Sequence, residues 1–257
     1  RIGDLPDSIN EIATNDWRVT CSPHHNHQDT ADYEVATQLW FDQHLQKSFE
    51  FPTTPTTVLR LKTDDGVPTF TVNPDRSRRI LSVDIFYTQH GVAGRDPHEN
   101  SMHRFWHHAA APGTGGVWAA SLPLSTRDRP LWVYANVRYA LEEPVSGAGY
   151  YYGSYTTNSF NVSSLLTMRT ADELASAGVR ATRKPSNLIE DFEGDWEKEW
   201  FTYRPAEWAR TTHKLYDDVW KAPTGAKLIL EMQAADQNKL VVLLDEYAAE
   251  VQIDGGV

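Results

Sequence analysis

The run Ser22-Pro23-His24-His25-Asn26-His27-Gln28 places three imidazoles in one short loop. Imidazole has the ordinary pKa nearest neutrality, which makes it the usual general base for activating a serine hydroxyl. Such a base needs a nucleophile to deprotonate and a carboxylate to hold its tautomer. His27 stands nearest the helical pattern that follows and is the expected base, with His24 and His25 shaping the mouth of a pocket. The carboxylate is expected from an earlier loop; among the acids ahead of the histidines, Asp4 is chosen over Asp7, Glu11 and Asp16. No Gly-x-Ser-x-Gly occurs anywhere in the sequence, so a nucleophile on a strand-to-helix elbow has to come from outside these residues.

A second set of histidines comprises His98, His103, His107 and His108. His103 and His107 are four apart, the spacing of paired zinc ligands on a helix, but the glutamate of His-Glu-x-x-His is missing. Arg104-Phe105-Trp106 therefore reads as a packing and salt-bridge element. Asp64-Asp65-Gly66 lacks the further ligands of a calcium loop and reads as a turn. No metal and no cofactor is expected. The stretch Glu190–Trp196 is acidic and aromatic, and Trp200, Trp208 and Trp220 follow. Trp196, Trp200 and Trp208 are the candidate sugar-contacting residues, the alternative being that they pack in a core. The single cysteine, Cys21, forms no internal disulfide and reads as a small buried hydrophobe. Asn161-Val162-Ser163 fits a glycosylation triplet.

The elements that must position these groups change character along the chain. Trp17–Cys21 reads as a buried strand, and the pattern from Thr30 to Gln46 as a helix with Val35, Ala36, Leu39, Trp40 and Leu45 on one face. Thr30 or Asp29 caps it, with Asp32 and Glu34 in the first turn. Pro52 and Pro55 among threonines form a linker. Alternating strands are then expected at Val58–Lys62, Pro68–Val72, Ile80–Tyr87, Val117–Leu122 and Leu131–Tyr139, and a short helix at Ala171–Ala177 stopped by Gly178. After Lys184-Pro185-Ser186, strands are expected at Leu188–Phe192, Lys227–Met232, Lys239–Leu244 and Tyr247–Ile253. The fold class is mainly β, a short α/β unit followed by antiparallel sandwich structure, divided at 1–52, 53–184 and 185–257. The last part is thin for a free-standing sandwich and is expected to be incomplete.

With 257 residues, 40% hydrophobic and 23% charged, the composition is that of a globular protein. A net charge of −11 disfavours nucleic acid and anionic membranes as partners. No apolar run approaches the ~20 residues of a membrane span. Nine Trp, eleven Tyr and nine Phe suit both sandwich cores and sugar-stacking surfaces.

Taken together, Trp17-Arg18, Ser22-Pro23, Asn26-His27, Trp40-Phe-Asp-Gln-His-Leu45 and Phe51-Pro52 resemble the end of a bacterial α/β-hydrolase domain of the dienelactone-hydrolase-like, acetyl-xylan-esterase-like or pathogenicity-related kind. Gly66-Val-Pro68, Val83–Tyr87, Arg104-Phe-Trp106, Trp118-Ala119 and Ala135–Tyr139 resemble the β-sandwich appended to such domains. Asp191-Phe192-Glu193 and Arg210–Lys214 resemble a carbohydrate-binding jelly roll. The resemblance implies that His27 matches the family's catalytic histidine and that its partner is a hydrolase domain absent from these residues. It implies a serine ester hydrolase acting on carbohydrate-linked or other carboxylic esters, with polysaccharide as a partner and an extracellular or periplasmic location. The other reading is a non-catalytic sandwich module that binds glycan or holds a partner domain.

Overall fold

The computed structural model describes residues 5–14, 16–25, 30–90, 104–150, 153–202, 209–244 and 247–255. The candidates Asp4, His27 and Trp208, with His98 and His103, lie outside them. The chain forms two compact units, Arg1–Lys221 and Ala222–Val257. It is mainly β, with antiparallel sheets and few helices.

The larger unit is built on two sheets. One has the order β1 (Thr56–Arg60), β2 (Thr69–Asn73), β6 (Val117–Ser121), β5 (Gly113–Thr114). The other has the order β4 (His107–Ala110), β3 (Ile80–Thr88), β7 (Leu131–Gly149), β8 (Gly153–Ser163), and β9 (Thr167–Arg169) pairs with the start of β7. Side chains alternate across each strand, so Phe70 and Val72 of β2 meet Val83, Ile85 and Tyr87 of β3 and Val133, Ala135, Val137 and Tyr139 of β7 in one core. The opposite face of the second sheet is buried as well: Phe86, Trp132 and Tyr134 form a second cluster with Val19, Cys21 and Trp106. That face explains why β3 and β7 read as nearly continuous apolar runs.

The amino-terminal segment covers this second face. Trp17–Cys21, expected as a strand, forms no regular ladder, although Val19 and Cys21 are buried. It is fastened to the end of β8 by the Ser163 amide donating to the Val19 carbonyl at 2.7 Å and the Cys21 amide donating to Ser163 Oγ at 2.8 Å. A short α1 (Leu5–Glu11) opens the chain, and α2 (Ala31–Phe41) follows from Thr30 and runs on as a π-turn, Asp42–Gln46. Val35 and Leu39 are buried as the periodicity requires, whereas Leu45 is 74% exposed. The π-turn adds a residue per turn and rotates Leu45 off the stripe that a regular helix would give it. Phe49 and Phe51 then pack edge-on against Phe160, and Arg18 donates to the Phe51 and Pro52 carbonyls, closing the linker onto the sandwich.

Two further expectations fail for identifiable reasons. Leu188–Phe192 is not a strand: the Leu188 carbonyl accepts from Trp220 Nε1, the Ile189 carbonyl accepts from Lys214 Nζ, and Phe192 turns into the left-handed region at φ 58°. Lys227–Met232 alternates yet forms no ladder: among the described residues of the smaller unit, only β10 (Asn238–Leu244) and β11 (Tyr247–Ile253) pair, in antiparallel register. α3 (Ala171–Ser176) carries a capping box between Thr170 and Glu173, with Gly178 at φ 75° just beyond its end. Among the described residues, no helix is long and apolar enough to cross a membrane.

Candidate functional site

The histidine loop is pinned at both feet. On the entry side, the Cys21 carbonyl accepts from the side-chain amide of Asn136 on β7 at 3.0 Å, and Ser163 Oγ, which receives the Cys21 amide, donates to Asn136 Oδ1 at 2.6 Å. Across the loop, the Ser22 and Thr30 hydroxyls stand 3.0 Å apart, and the Ser22 amide points to the Tyr33 hydroxyl of α2. Thr30 has the extended backbone of an N-cap, but its hydroxyl serves Ser22 instead of the helix. Asn161 also takes part, donating toward Ser163 Oγ and the Cys21 carbonyl; it is 1% exposed, so the glycosylation triplet is closed to any transferase in the folded chain. Burial pushes the Cys21 thiol up to about 12, which leaves it a packing group without nucleophilic character.

His24 does not shape a pocket mouth. It is 5% exposed, it holds φ 68°, and its ring lies nearly parallel to Phe105 at 5.3 Å and to Phe201 at 6.2 Å. Neither ring nitrogen has a hydrogen-bond partner. Burial pulls its pKa down to about 3, with His213 and His25 adding to the effect and the nearby Lys198 backbone opposing it weakly. A ring so held is neutral at any ordinary pH and acts as a wedge. His25 stays partly open, with Nδ1 against the Pro23 carbonyl at 3.2 Å, and burial lowers its pKa also.

The second histidine pair sits on a strand, not a helix, so His107 and His108 point to opposite faces. Arg183 Nη1 donates to His107 Nδ1 at 2.9 Å, and His107 Nε2 donates to Asp217 Oδ2 at 3.2 Å. These bonds fix a neutral ring with its proton on Nε2. Burial lowers the His107 pKa further than the Asp217 bond raises it, while for Asp217 the His107 bond and the Val219 amide outweigh burial and hold the carboxyl low. His108 Nε2 donates to Asp84 Oδ1 at 3.0 Å, and Lys198 Nζ reaches Asp84 Oδ2 at 2.9 Å. Burial works against that carboxylate, but these two partners hold it well below the ordinary range. Ser82 donates to Asp84 and not to an imidazole, which is the wrong order for a nucleophile relay. Both pairs are structural clamps joining the sandwich to residues 183–221. Among the described residues, no cluster of three or more His, Cys, Asp or Glu is arranged to hold a metal ion.

Sequence reasoning missed Lys214. Its buried ammonium sits between Glu190 Oε2 and Glu199 Oε2, each at 2.8 Å, and 5.0 Å over the Trp220 ring. Arg104 packs over Trp132 and Trp106 as expected for a packing element, but makes no salt bridge among the described residues. Of the candidate tryptophans, Trp196 and Trp200 come together with Phe192 at ring separations of 5.2–6.0 Å. Trp200 Nε1 donates to Glu190 at 2.7 Å, and Phe192 stands 54% exposed on its left-handed backbone. Trp220 is a core residue packed on Phe105 and Val219. No protein-family model, no curated protein and no solved structure matches the chain.

Proposed function

We propose that the chain is part of a serine hydrolase of carboxylic esters, carbohydrate-linked esters among them, in which the β-sandwich holds the histidine loop for a nucleophile supplied from outside these residues. One observation supports this above the others: the entry foot of the loop is tied to the sandwich by Asn136 and Ser163, the Ser22–Thr30 contact joins the two feet to each other, and Asp32 just past the exit foot pairs with Arg138 of β7, with His24 wedged beneath. A general base is useful only when its approach is fixed to within a fraction of an ångström, and anchoring the residues on either side of it is one way a fold meets that demand. In this reading His27 takes the serine proton and returns it to the leaving alcohol, and Asp4 orients His27. The 257-residue chain by itself then hydrolyses 4-nitrophenyl acetate no faster than free imidazole at equal concentration. Turnover well above that rate and abolished by His27→Ala would overturn the proposal, since the nucleophile would then lie within the chain.

A second reading, binding of glycan without chemistry, rests on the cluster of Phe192, Trp196 and Trp200. Aromatic faces stack on the apolar face of a sugar ring. Retardation of the chain in polysaccharide affinity gels, lost in Trp196→Ala, is the expected outcome. Migration unchanged in every plant and algal polysaccharide tried contradicts it.

A further inference from the structure

Three buried nitrogens without a hydrogen-bond partner gather at one end of the sandwich: Nδ1 of His90, Nε of Arg104 and Nε of Arg183. The register of β3 and β4 pairs Tyr87 with His107, and continuing it past the strand ends brings His90 opposite Arg104. Arg183 joins them from the other side, donating Nη1 to His107 and Nη2 to the Tyr87 hydroxyl at 2.7 Å. Both acceptors are neutral, so no carboxylate hydrogen bond answers this guanidinium among the described residues. Arg104 is in the same position: its guanidinium lies over Trp132 at 4.9 Å and Trp106 at 5.7 Å, and burial alone brings its pKa down to about 10.

A cavity of about 430 Å³ opens beside Arg183. Its polar lining is Ser125, Thr126, Asp128, Arg129, Arg183 and Asp218, and Pro185 and Val219 form an apolar wall. Gln89 fixes the loop that carries the hydroxyls: its Oε1 receives the Ser125 and Thr126 amides and its Nε2 donates to the Thr126 carbonyl. Arg129 and Asp218 pair at 2.6 Å, both half-exposed, a contact that water screens and a ligand exchanges at little cost. The volume is within the range of small-molecule sites and larger than a lone inorganic anion fills. The lining asks for two chemistries at once, an anionic group for the guanidiniums and hydroxyls for Asp128, Asp218, Ser125 and Thr126.

We propose that this cavity binds a small hydroxylated carboxylate, represented by a hexuronic acid, with the carboxylate on Arg129 and Arg183 and the ring hydroxyls on Asp128, Asp218 and the 125–126 hydroxyls. The site is separate from the histidine loop and from the Trp196–Trp200 cluster, so it stands or falls independently of the hydrolase and glycan readings.

The test is calorimetric titration of the 257-residue chain with galacturonate, glucose, acetate and inorganic phosphate. Galacturonate is expected to saturate, with glucose, acetate and phosphate each at least about tenfold weaker, since each lacks half of the recognised chemistry. Arg129→Gln and Arg183→Lys are each expected to weaken galacturonate about tenfold by losing a planar, charge-assisted contact. Arg129 is half-exposed, so Arg129→Gln keeps the test decisive even if Arg183→Lys fails to fold. Absence of saturable galacturonate binding overturns the proposal. So does equal binding of glucose, acetate or phosphate, or galacturonate affinity unchanged in Arg129→Gln.

Discussion

Lys214→Met lowers the unfolding free energy of the larger unit by about 3–5 kcal/mol, the cost of leaving buried charge without its partner. The ammonium has three oxygen partners, Glu190 Oε2, Glu199 Oε2 and the Ile189 carbonyl at 3.1 Å, and lies over the rings of Phe105 and Trp220. Methionine fills the volume but leaves two partly buried carboxylates without their common counter-charge. The damage spreads because each carboxylate has a second task. Glu190 receives Trp200 Nε1, and Glu199 Oε1 receives the His108 amide at 2.9 Å. Urea unfolding followed by tryptophan fluorescence measures the loss. The double replacement Lys214→Met with Glu190→Gln is expected to recover part of it, since one of the two stranded charges is gone. A loss below about 1 kcal/mol would show that the network is solvated and contributes no more than a surface pair.

The second large effect is on pH dependence. His24 has an ordinary pKa of 6.5 and a folded-state pKa of about 3, so the folded chain strongly prefers the neutral ring. Its contribution to stability is complete above pH 6.5 and is lost progressively as the pH falls from 6.5 toward 3, where the unfolded chain takes up a proton that the folded chain refuses. At about 1.4 kcal/mol per pKa unit, roughly 2 kcal/mol is gone by pH 5. His24→Phe keeps a neutral ring between Phe105 and Phe201 and cannot titrate. The native chain is therefore expected to lose about 2 kcal/mol more than His24→Phe between pH 7.5 and pH 5. Burial also lowers the pKa of His25, His90 and His107, but these groups are common to both proteins and drop out of the difference. Equal pH profiles for the two chains would mean that His24 is hydrated or charged in the fold.

What the sequence revealed and what it hid follow from the range of the interactions. The strands at Pro68–Val72, Ile80–Tyr87 and Leu131–Tyr139 and the helix after Thr30 were legible because burial repeats with the local period of the backbone. Leu45 was misplaced because one π-turn changes that period, and no residue type announces it. Lys227–Met232 has the pattern of a strand but no partner, and pairing is a property of two segments. The clamps were hidden for the same reason: His107 meets Asp217, Asp84 meets Lys198, and each pair spans more than a hundred residues. The wedge role of His24 had no local signal either. A left-handed histidine buried among Phe105, Phe201 and His213 depends on segments far apart in the chain.

These distant contacts bear on the central claim, because together they fasten residues 183–221 and the feet of the histidine loop to one sandwich. A loop held in this way is suited to presenting a base to a nucleophile from another part of the protein. The direct measurement is ester hydrolysis by a protein expressed from the coding region with about 200 codons upstream of Arg1 included, the span of a hydrolase domain. The account predicts turnover of 4-nitrophenyl acetate that falls by about 10³-fold or more in His27→Ala, as loss of a triad base requires, and persists in Trp196→Ala. Full activity in His27→Ala, or no ester hydrolysis by the longer protein, would contradict it.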